Sequence, residues 1–121
     1  MCLINLFISF LLAKPSQPVG PVKIKDIEPT SVTLEWQPPK DDGGAKISGY
    51  KVSMTTDQSI WTDVTITQKK KFTVTKLITN QSYYFRIVAF NDIGDSKPLE
   101  SEEVVCKAPT SKYWRLHLEF F

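Results

Sequence analysis

From Val22 to Cys106, apolar residues recur at every second position in short runs. A chain patterned this way can bury its apolar side only as strands. Val22 and Ile24 open the series, followed by Val32, Leu34 and Trp36, then Tyr50, Val52 and Met54. The alternation returns in IWTDVTI around Trp61, in KFTVTKL with Phe72 and Val74, in YYFRIVAF with Tyr83, Phe85, Ile87 and Ala89, and in EEVVCKA. Most of these seven runs start about 8 to 12 residues after the one before, and no helical period of useful length interrupts them. DIEPTS, TTDQS and LITNQS separate them, with Pro, Asp, Asn and Ser that fix φ, cap backbone groups or tolerate left-handed backbone. The pattern predicts an all-β sandwich of antiparallel strands.

A length of 121 residues supplies one such core and is short for two. Fifteen Lys plus Arg against thirteen Asp plus Glu leave a net charge of +2, far from the basic excess that holds a phosphate backbone, so a nucleic-acid partner is disfavoured. Cys2 and Cys106 stand at opposite ends without metal-ligand spacing or disulfide-module density, a pattern that suits a reducing compartment. The single histidine, His117, falls in the C-terminal tail, and no GxSxG is present. A triad or multi-histidine metal site therefore lacks its parts, and the expectation is no enzyme, no cofactor and no small-molecule substrate.

Both ends differ from the domain. MCLINLFISFLLA is thirteen residues long, short of the roughly 20 a membrane helix needs, so a membrane partner is not expected. It lacks a basic leading region and a clean cleavage site. Residues 1–14 are read as an apolar leader outside the fold. Residues 15–21, with Pro15, Pro18 and Pro21, are read as an extended linker. The domain is expected over 22–109 and a tail over 110–121, where Leu116, Leu118, Phe120 and Phe121 break from the domain's composition. Both ends look spliced onto a module cut from a longer protein.

The stretch WQPPKDDGGAKISGY, Trp36 to Tyr50, raises a sharper question. Pro38 and Pro39 must end the strand after Trp36, and Gly43 and Gly44 permit a reversal toward Ile47. Asp41 and Asp42 could instead begin a cation or phosphate site, but two adjacent carboxylates lack calcium-loop spacing and GGAK lacks the phosphate-loop spacing. A rigid turn with solvated aspartates is the expectation. The aromatics Trp36, Tyr50, Tyr83 and Phe85 alternate with polar neighbours, which favours a packed core over a ligand cage.

The residues from about Pro18 to Pro109 resemble a fibronectin type III domain. SVTLEW looks like that family's second strand, with Trp36 at its core tryptophan, and ISGYKV looks like its third, with Tyr50 and Val52 facing in. LITNQSYYFRIVAFN is similar to the family's leucine, here Leu77, with a tyrosine six positions on and then Phe85, Ile87 and Ala89. The resemblance implies a seven-stranded antiparallel immunoglobulin-like β-sandwich in which Tyr83 bonds back to upstream backbone as a tyrosine corner. The loop after Trp36, and NDIGDSKP with Asn91, Gly94, Ser96 and Pro98, resemble the titin, twitchin and myosin-binding protein C branch of intracellular giant muscle proteins. SMTTDQSIW is shorter than the charged link common in that branch, and Asn80 stands where the family often has glycine.

That resemblance implies a noncatalytic structural and protein-interaction module from a tandem array in the sarcomere. It would be cytoplasmic, with neighbouring immunoglobulin and fibronectin III domains and thick-filament proteins as partners. A partner surface is sought at Trp61, at the basic run Lys69, Lys70 and Lys71, and at Asn91 and Gly94. The first two have a plainer reading: a half-buried side chain for Trp61, a solvated loop for the lysines. The alternative is a secreted or receptor-borne module for adhesion or ligand binding. It would need residues 1–13 to act as a signal peptide and would make the NQS acceptor at Asn80 meaningful.

Overall fold

The computed structural model describes residues 12–107. Most of the apolar leader, Cys2, His117 and the tail lie outside those residues. Alternation becomes two antiparallel sheets. β1 (Val19–Lys25), β2 (Val32–Gln37) and β5 (Lys71–Val74) form the smaller one, in the order β1-β2-β5. β3 (Gly49–Thr55), β4 (Thr62–Thr67), β6 (Ser82–Phe90) and β7 (Leu99–Glu100) form the larger in the order β4-β3-β6-β7, and β8 (Val104–Val105) also pairs with β6. β6 is the longest strand and alternates strictly, with Tyr83, Phe85, Ile87 and Ala89 buried between half-buried neighbours.

The sheets close on a single core. Val32, Leu34 and Trp36 from β2, Tyr50 and Val52 from β3, Val74 from β5 and the buried face of β6 meet there with Leu77, Val104 and Cys106. Trp36 is 2% exposed and meets Tyr50 edge-on, with ring centroids 5.6 Å apart. Tyr83 stacks near Phe85 at 6.2 Å, and its hydroxyl accepts a hydrogen bond from the Ile78 N–H at 2.9 Å. That bond fastens the β5–β6 connection to the core. Asn80 adopts φ +70° in this connection, a conformation that Asn tolerates better than most residues.

Three boundaries differ from the sequence reading. Val19 to Pro21, expected in a linker, begin β1, with Val19 facing Gln37, and Pro15 and Pro18 are buried. A proline at a sheet edge loses no ladder bond, so Pro21 is tolerated in this outer strand. β4 starts at Thr62, leaving Trp61 just before it. The last run, EEVVCKA, supplies only the short β8, and a further strand, β7, precedes it; between them the Ser101 hydroxyl accepts from the Phe85 N–H at 2.9 Å and donates to the Glu102 carbonyl. A side chain thereby takes a place that a continuous backbone ladder would fill.

Candidate interaction surface

The turn after Trp36 builds one pole of the sandwich. Gly43 and Gly44 have φ of +79° and +85°, the left-handed backbone that glycine adopts without steric cost. Asp41 Oδ1 accepts from the Gly43 N–H and Asp42 Oδ1 from the Gly44 N–H, each at 2.8 Å, so both carboxylates cap the reversal while staying exposed. The loop also holds the incoming chain. Ala13 N–H donates to the Gly43 carbonyl, Ser16 N–H donates to the Asp41 carbonyl, and the Asp41 N–H donates to Ser16 Oγ. A Cβ on Gly43 would collide with the Ala13 carbonyl, a second reason for glycine there. Ala13 and Lys14, assigned above to a leader outside the fold, thus lie against it: the prolines hold the segment extended, leaving its backbone groups free to bond sideways.

Asn91 ties the pole together and is not a partner surface. It is only 5% exposed. Its Nδ2 donates to the carbonyls of Ala13 and Asp42, and its Oδ1 accepts from the N–H groups of Ile93 and Gly94. All the polar capacity of the amide is spent inside the molecule. Gly94 sits in the same turn, half-buried against the Lys14 side chain. Ser96 closes this loop by accepting from the Ala89 N–H and donating to the Lys97 carbonyl. Nothing in the alternation marks Asn91 or Ser16; the signal available was the Asn-x-x-Gly-x-Ser-x-Pro pattern, and it concerned the loop without saying what it holds.

Among the other candidates, Trp61 is half-buried on the flank of the larger sheet, with the Arg86 guanidinium 4.2 Å from its ring centroid. That cation–π contact occupies one face of the indole. Lys69 and Lys70 are exposed in the β4–β5 turn, whereas Lys71 opens β5 and approaches Glu35 at 3.9 Å. The structure therefore separates the sought surface: Trp61 stands on a sheet flank and Lys69 and Lys70 at the pole. Beside those lysines runs a groove of about 700 Å³ lined by Pro38, Lys46, Gly49, Tyr50, Gln68 and Lys70.

The shifted titrations are structural. The Lys25 ammonium, hydrogen-bonded to Glu35 Oε1 at 3.0 Å, holds that carboxyl below the ordinary range against the opposing effect of desolvation. Backbone N–H groups of Ser59 and Ile60, then the Thr55 hydroxyl, hold Asp57 down likewise. Burial pushes the Cys106 thiol and the Tyr50 hydroxyl up. Among the described residues, no group of three or more His, Cys, Asp or Glu side chains is placed to hold a metal ion. No helix among them is long and apolar enough to cross a membrane.

The comparisons agree with this architecture. The family model described as "Fibronectin type III domain" matches residues 16–106. Titin of Drosophila melanogaster is 43% identical over 97 residues, which is 78% of this chain, and the titin homolog of Caenorhabditis elegans is 34% identical over 93, or 76%. The aligned part rounds to 0% of the length of either relative, so the chain spans a very small share of those proteins. Slow-type human myosin-binding protein C is 37% identical over 78 residues, covering 63% of this chain and 7% of that protein. A crystal structure of titin domains superposes with a TM-score of 0.74 at 37% identity, over 79% of this chain and 33% of that one. The twitchin kinase region of C. elegans gives 0.75 at 27% identity, over 80% and 17%. With its Trp36 core, its Tyr83–Ile78 corner and a family match running from Ser16 to Cys106, this chain belongs to the fibronectin type III family.

Proposed function

We propose that this domain is a noncatalytic, load-bearing link of a tandem immunoglobulin and fibronectin III array in a sarcomeric protein. Its partners would be the neighbouring modules and thick-filament proteins, in the cytoplasm. The observation that carries this reading is the 43% identity to a titin segment over 97 residues, well above what a shared sandwich alone requires. The fold supplies a mechanism. The described chain enters near Ala13 at one pole and leaves beyond β8, which pairs with the opposite end of β6 at Ser82 and Tyr83. Tension between the ends loads the β1–β2 and β6–β8 pairings along the strands, so several backbone bonds must yield together. Val22 and Val104, both buried, with half-buried Ile24 and Val105, pack behind those pairings.

Single-molecule stretching of the chain between flanking marker domains tests the load-bearing role. The expected trace has one discrete unfolding event, at a force lowered by the Val22→Ala, Val104→Ala double substitution; extension without a peak overturns it. A second reading, an extracellular adhesion module, draws on Asn80, which is exposed within its NQS acceptor. A glycan on Asn80 of a secreted chain would favour it, and cytosolic retention with unmodified Asn80 would exclude it.

A further inference from the structure

We infer that the groove between the start of β3 and the β4–β5 turn docks a carboxylate-rich, extended segment of a partner protein. The lining is rich in residues that carry hydrogen-bond donors, Lys46, Lys70, Gln68 and Ser48, against one carboxylate residue, Asp92. Gly49 and Tyr50 also line it, and a Cβ on Gly49 would press on the Phe90 ring and the Thr67 carbonyl. At about 700 Å³ the groove holds several residues of extended chain.

Charge pairing selects the occupant. Among the described residues the ion pairs are Lys25 and Lys71 with Glu35, and Lys51 with Asp95. Lys46, Lys69 and Lys70 have no carboxylate within 4.0 Å there, as holds for most described lysines; what distinguishes them is that all three are exposed at one pole, with Lys46 and Lys70 lining one groove beside the single carboxylate residue Asp92. A surface that leaves its cations unpaired and surrounds them with further donors complements an anion. Nucleic acid fits less well. Its affinity comes from many phosphate contacts and, for single strands, from exposed aromatics on which bases stack. This groove offers two lysines, a repelling Asp92 and a Tyr50 that is only 4% exposed.

The inference rests on the domain being an interaction module and is independent of its load-bearing role. The test is titration of the isotope-labelled full chain with an acetylated hexaglutamate peptide at low salt, read by amide chemical shifts. Shifts are expected at Ser48, Gly49, Gln68 and Lys70. K46E/K70E should weaken binding about tenfold or more, the scale of two reversed exposed charges. K23E/K107E, which changes net charge equally at exposed sites elsewhere, should leave it unchanged. Equal loss in both variants, shifts spread over every lysine, no binding, or equally strong binding of an RNA oligomer of matched charge would each overturn the assignment. Self-association that requires Lys46 and Lys70 would also overturn it, by making a second copy the occupant. None of these outcomes alters the stretching result, so the two readings fail separately.

Discussion

The Asn91 side-chain amide donates to the Asp42 carbonyl at 2.8 Å, joining the loop after β6 to the loop after β2. The same nitrogen reaches the Ala13 carbonyl at 2.9 Å, so one buried residue fixes two loops and the entering chain. Asn91→Ala should lose about 1–3 kcal/mol, because it leaves the N–H groups of Ile93 and Gly94 and two carbonyls without that partner. Asn91→Asp keeps the acceptor but sets a carboxylate against two carbonyls, and should fare no better. Urea midpoints of the full chain measure both; a midpoint unchanged by either substitution refutes the tie.

Tyr83→Phe isolates the corner bond. The ring stays in the core, 4% exposed, and only the acceptor for the Ile78 N–H goes. The expected cost is that of one hydrogen bond, about 1 kcal/mol. For a domain of this size, that lowers Tm by about 4–8 °C. A scan of the variant overlaying the parent would show that the bond contributes nothing.

Trp36 carries a buried Nε1 that has no hydrogen-bond partner among the described residues. Trp36→Ala should cost about 3–5 kcal/mol from the cavity it leaves, a large part of the 5–15 kcal/mol typical of whole domains. Trp36→Phe keeps an aromatic opposite Tyr50 and removes the unpartnered donor, so it should cost clearly less than Ala. Denaturant titration of the two variants decides. Equal losses would contradict both the filled volume and the removed donor as sources of the difference.

Acid should weaken the fold through Glu35 and Asp57. Both folded-state carboxyls titrate below their ordinary values, so their stabilisation is fully present above the unfolded range and is lost as pH falls through the folded value. Asp57→Asn should therefore destabilise the chain at neutral pH and flatten the acid limb. Carboxyl titration by NMR checks the sign directly, and an Asp57 resonance moving at or above the ordinary aspartate range contradicts it.

The strands and the core were legible in the residues because a sheet's side-chain period is a local property. Each apolar residue at alternate positions declares its own face, and Trp36, Tyr50, Val52, Phe85, Ile87 and Ala89 lie buried where alternation put them. Tyr83 is buried by the same alternation, and Leu77, assigned by resemblance, is buried too, because the corner bond draws their connection onto the core. What the residues could not declare are relationships across long stretches of chain. The pole where residues 13–16 meet the Asp41–Gly43 turn and Asn91 depends on hydrogen bonds between segments separated by 25 to 78 positions, and a polar side chain looks the same in sequence whether it faces water or a distant carbonyl. Asn91 was therefore sought on the surface and found buried. The break at Ser101 and the separation of Trp61 from Lys69 and Lys70 have the same origin: only the packed sandwich decides which distant groups a given donor or cation can reach.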